Sequence, residues 1–113
     1  MAITFNVIAS NSTPADPLSI TPGSTANDVI IEGVVSDNSG TTVTSWPASF
    51  DQIALQATTG DGMTTGVARK KSATGSEGAL STNLTNTIIG FMMSLSGADN
   101  TTPEDVTSVI TNT

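Results

Sequence analysis

Val29-Ile30-Ile31-Glu32-Gly33-Val34-Val35-Ser36 is the run that decides the fold. Five of its eight residues are β-branched and apolar; such side chains are stiff at χ1, sit well on a pleated surface and disfavour a helix. The apolar positions are nearly continuous rather than alternating, which predicts a strand covered on both faces. Working outward, Asp37-Asn38-Ser39-Gly40 reads as a turn and Thr41 to Ser45 as a partner strand, so a hairpin is expected. Upstream, Ile3, Phe5 and Val7 alternate with Thr4 and Asn6, the period of a strand with one buried face. Asn11 to Pro17 is a turn cluster, Leu18 to Ile20 a short segment, and Thr21-Pro22-Gly23 a second punctuation.

Downstream, Trp46-Pro47-Ala48-Ser49 interrupts, because proline cannot donate to a central ladder. Phe50 to Thr58 follows, with Ile53, Leu55 and Ala57 expected on one face and Gln52, Ala54 and Gln56 on the other. Thr59-Gly60-Asp61-Gly62 suits a tight hairpin turn, after which Met63 to Lys71 returns antiparallel. Ser72 to Gly78 is a loop, Ala79 to Leu84 a short strand and Thr87 to Leu95 the last long one. At the C-terminal end, Thr102 precedes Pro103, Glu104 and Asp105 as a helix N-cap would, yet Val106 to Thr111 is rich in β-branched residues; a short helix and an edge strand both fit. About eight short antiparallel strands separated by regular turns predict an all-β fold, a β-sandwich or jelly roll, with residues 1–113 as a single domain.

Composition narrows the function classes. Ten acids against three cations give a net charge of −7, which argues against nucleic acid as a partner. The N-terminus lacks a basic, then apolar, leader, and the longest apolar-rich run, Ile88 to Met93, is far shorter than a bilayer span; neither secretion signal nor membrane anchor is expected. There is no His, Cys or Tyr. A serine or threonine nucleophile therefore lacks the usual base, and Lys70 and Lys71, side by side with Arg69 in a polar stretch, read as solvated, so no enzyme activity and no catalytic residue is assigned. Acidic loops at Asp37 to Gly40 and Asp99 to Asp105 offer oxygen ligands without the full calcium-loop pattern; turn capping explains them, and no metal or cofactor is assigned.

Two features remain as interaction candidates. Trp46, the sole tryptophan, reads as a sugar-stacking platform, as an interface anchor or as a core-edge residue, Phe5, Phe50 and Phe91 being expected to fill the core. Arg69, Lys70 and Lys71 are the only cations; they read as a solvated face or as a salt-bridging patch, with Glu77 across the loop or an acidic neighbouring subunit as partner.

Pro47-Ala48-Ser49-Phe50-Asp51-Gln52-Ile53, then Lys71-Ser72-Ala73-Thr74-Gly75-Ser76-Glu77, then Ile88 through Asp99 resemble a family of β-sandwich domains that recur in tailed-bacteriophage structural proteins and some bacterial surface proteins. The likeness runs from about Leu18 to Pro103. Ser49-Phe50 stands where the family has Gly-Trp, Ser72 where it has an apolar residue and Ala98 where it has a branched one, and Trp46 lies outside the family's aromatic position. The resemblance implies a structural virion protein with no catalytic residues. A domain standing alone resembles a capsid decoration, or cement, protein on the capsid surface, with the major capsid protein as partner. An all-β domain with long edge strands must cover them, and a symmetric trimer or a capsid contact is an economical way, so a homo-oligomer is expected. A receptor- or glycan-binding module of a tail fibre or surface protein, and a tail or baseplate component, are the other roles the resemblance allows.

Overall fold

The computed structural model describes residues 2–11, 18–36, 43–57, 62–84 and 88–102. Among them the chain is all-β, with eight strands and no helix: β1 (Thr4–Ser10), β2 (Leu18–Ile20), β3 (Val29–Ser36), β4 (Val43–Ser45), β5 (Asp51–Ala57), β6 (Thr64–Lys70), β7 (Leu80–Leu84) and β8 (Ile88–Ser96). The segment at 103–111, for which helix and strand both fit the sequence, lies outside the described residues.

The strands form two antiparallel sheets, β1-β8-β3-β6-β5 and β2-β7-β4. β1 pairs with β8, β2 with β7 and β3 with β6, so the chain doubles back on itself as one long ribbon wrapped into two layers. That is the strand order of a jelly-roll sandwich. β5 departs from the symmetric wrap. It pairs with β6, which leaves five strands in one layer and three in the other.

The β5–β6 hairpin forms as its sequence predicts, whereas the hairpin expected between β3 and β4 does not. β3 is laddered along its whole length to β8 on one side and for most of it to β6 on the other, so no edge remains for β4, which pairs with β7 in the opposite layer. Bulges account for two further departures. In β1 the register shifts between Phe5 and Val7: Phe5 pairs with Leu95 and Val7 with Ser94, adjacent positions of β8, so the period of two expected of this strand is broken there. In β5 a shift between Gln52 and Ala54 sets these two residues opposite Ala68 and Val67, which breaks the period there as well.

The core lies between the layers. Ile30, Val34 and Met92 of the large sheet meet Leu18 and Ile20 of the small one, with Ala73 from the loop after β6. Gly90 makes this approach possible: a Cβ there would stand 2.7 Å from Leu18 Cδ2 and 2.6 Å from the Gly33 carbonyl oxygen. Phe50 packs against this cluster, but Phe5 and Phe91 do not fill the core as expected; they are 67% and 38% exposed. The β1 bulge and the strict alternation of β8 turn both rings to the outside.

Candidate interaction surface

The three adjacent cations are divided by strand geometry. Arg69 lies opposite Ile31 and Asp51 on the outer face of the large sheet. Lys70, one position on, lies opposite the core residue Ile30, and its Nζ contacts both carboxylate oxygens of Glu77 at 3.0 and 3.1 Å. Both side chains of this ion pair are largely covered, 13% and 7% exposed. Glu77 also accepts from the Thr74 amide at 2.7 Å and the Thr74 hydroxyl at 3.1 Å. The Thr74 amide, with Lys70, outweighs the opposing effect of burial and holds this carboxyl below its ordinary range. Lys71 lies beyond the strand, its Nζ 3.4 Å from the Thr101 carbonyl. Alternation along β6 thus points neighbouring cations to different surroundings.

Trp46 is half-buried against the core cluster, and its indole N–H donates to Gln52 Oε1 at 2.9 Å. Its geometry is that of a core-edge residue with its polar atom engaged.

The outer face of the large sheet was not singled out by any one residue in the sequence. Register places Phe5 beside Leu95, Ile8 beside Met93 and then Ile31, and Phe91 beside Gly33 and then Val67. Ile8 is 64% exposed, Ile89 46%, and Ile3, just ahead of β1, 63%. Phe91 lies over Gly33, its ring 2.6 Å from where a Cβ would stand. Beside it opens a cleft of about 410 Å³ walled chiefly by Val35, Thr65, Val67, Ile89 and Phe91. The signal for this face was present in the doubly apolar pattern of β3 and in Ile89, Phe91, Met93 and Leu95 at every second position of β8.

Two carboxyls lie elsewhere. Asp28, 2% exposed, accepts from Asn6 Nδ2, the Thr25 amide and hydroxyl, Ser94 and Ser96. Burial pushes its pKa up, but the bonds from Ser94, Ser96, Thr25 and Asn6 together outweigh it and hold the group far below its ordinary range. Glu32, fully buried on the inner face of β3, accepts from Thr82 Oγ1 of the opposite layer, while its Oε2 has no hydrogen-bond partner. Burial pushes its pKa up to about 7, against a smaller opposing effect of Thr82.

A polar depression of about 450 Å³ runs past Asp28 and Asp99. Asp99 accepts from the Thr101 and Thr102 amides and the Thr102 hydroxyl, a capped turn. Among the described residues no group of three or more His, Cys, Asp or Glu is placed to hold a metal ion. The acidic loop at 37–40 lies outside them. No known protein family, curated protein or solved structure matches the chain.

Proposed function

We propose that this chain is a structural protein that works by packing against other protein chains, its own copies included, and that its role is that of a decoration protein stabilising a phage capsid. The observation that carries the packing role is the outer face of the large sheet, where Phe5, Ile8, Ile89 and Phe91 stand exposed on one continuous surface. Contiguous apolar area of this kind marks a protein contact more often than it marks idle surface. The capsid setting comes from the sequence resemblance, and the β-sandwich architecture suits a rigid unit repeated at many equivalent sites.

The test compares phage capsids purified with and without this chain. Adding the purified protein to depleted capsids is expected to raise the temperature at which the shell opens, and Phe91→Ser to weaken that effect. Depleted capsids that neither bind the added protein nor gain stability from it overturn the capsid role.

A further inference from the structure

We propose that the outer face of the five-stranded sheet packs against the same face of a second copy of this chain, the phenyl ring of Phe5 from each copy entering the cleft beside Gly33 of the other. The inference rests on the reading that this face is a protein contact, and it names the occupant. Three features select a second copy.

The first is area. Phe5 and Ile8 expose about two thirds of their surface, and Ile89 and Phe91 add substantial parts of theirs. Together these form an apolar patch on the order of 450 Å². Half-buried Ile31, Val35, Val67, Met93 and Leu95 extend it toward the roughly 800 Å² per partner of a standard interface.

The second is charge. The chain carries −7, so two copies repel one another over most of their surface. On the strands of this face the charged residues are Arg69 and Asp51, one of each sign and opposite each other in register. Two acidic molecules approach here at the least electrostatic cost.

The third is shape. The face carries a knob, Phe5, at the end where Leu95 lies, and a hole, the cleft of about 410 Å³ between Ile89, Phe91 and Val67, toward the other end. A two-fold axis lying in the face, perpendicular to the line from knob to hole and midway between them, sets each Phe5 over the partner's cleft. Any other in-plane axis leaves both unfilled. Self-complementarity of this sort is what an isologous dimer requires.

Sedimentation of the purified chain over a range of concentration and salt tests the proposal. A dimer that changes little with salt is expected, and Phe5→Ser should raise its dissociation constant about tenfold or more. Because Phe5 is exposed, the variant should keep the circular dichroism of the wild type. The chain has no cysteine, so Phe5→Cys and Ile89→Cys proteins can be mixed and oxidised; the mixed cross-link should exceed either self cross-link. A chain that stays monomeric at about millimolar concentration, a trimer, or a dimer indifferent to Phe5→Ser overturns the proposal. Capsid stabilisation is read in a separate assay, so the packing role can survive when self-pairing fails.

Discussion

The two faces of the five-stranded sheet are built from the same strands, and beside the inner apolar core neither is as one-sided as a sandwich alone needs. The inner face, sealed by the small sheet, carries Glu32, Ser36, Thr64 and Ser94 at nearly zero exposure. The outer face carries phenylalanine and isoleucine in the open. A β-sandwich ordinarily sets apolar residues inward and polar ones outward. The inner face tolerates its polar groups because they reach across the layers or the strand ends, Glu32 to Thr82 and Ser94 to Asp28. The outer face gains nothing from its apolar groups unless something covers them. The difference separates two jobs: the inner face fixes which layers meet and in what register, and the outer face is the surface to which the proposed role assigns adhesion.

The largest expected effect breaks the inner side of that comparison. Asp28 gathers donors from β1, β8 and the turn at Thr25, so Asp28→Ala strips the acceptor from Asn6, Ser94, Ser96 and the Thr25 amide at once. Unfolding in denaturant should show a loss of about 3 kcal/mol or more. The wild-type carboxyl sits below its ordinary value of 3.8, so its contribution is present above that pH and fades as pH falls further. The variant should lack that part of the acid sensitivity. A loss below about 1 kcal/mol would show that the serines find other partners.

Adjacent residues on β8 give the most direct contrast between the faces. Met92 is fully buried inside and Phe91 is 38% exposed outside. Met92→Ala should cost about 3 kcal/mol at any protein concentration. Phe91→Ala should cost about 1 kcal/mol in dilute protein and more at concentrations where the outer face is paired, because association adds to apparent stability by mass action. Equal, concentration-independent losses at both positions would erase the distinction.

Glu32 sharpens the comparison through pH. Its carboxyl keeps its proton in the fold up to about 7, against an ordinary 4.5 when exposed. Stability is therefore full below about 4.5, falls as pH rises between these values, and levels off above about 7, a swing on the order of 3 kcal/mol. Glu32→Gln, which keeps shape and the bond from Thr82, should flatten that slope in thermal melts from pH 4 to 8. A slope unchanged in the variant would place the titrating group elsewhere.

How much of this was legible follows from what each signal depends on. The strands of the large sheet were readable because β3, β6 and β8 carry β-branched or alternating residues bounded by turns. Their assignment to layers was not, because β4 follows β3 after a hairpin-like turn yet finds its partner in β7, a choice set by competition for edges rather than by local sequence. Phe5 reads as inward when alternation is extended through Asn6, and the bulge there reverses the phase. The Lys70–Glu77 pair was legible, since the two are separated by a loop rich in turn residues. Asp28 was invisible: its donors lie as far as 68 residues away, and nothing in sequence spacing brings Ser94 and Ser96 to it.

The smallest effect is a control that touches neither face. Ser49 occupies the third position of the turn closed by the Phe50 amide and the Pro47 carbonyl at 3.1 Å. Its φ is 69°, in the left-handed region that glycine enters without strain and serine does not. Ser49→Gly relieves the strain but also loosens the unfolded chain, which offsets part of the gain, so a net stabilisation of about 0.5 kcal/mol is expected. The turn links β4 of the small sheet to β5 at the edge of the large one, away from the Phe5 knob and the Gly33 cleft. Melting temperature should rise by a few degrees at most while the sedimentation behaviour stays that of the wild type. If Ser49→Gly altered association as strongly as Phe5→Ser, oligomerisation would be reporting global stability rather than a specific face, and the separation of inner and outer roles would fail.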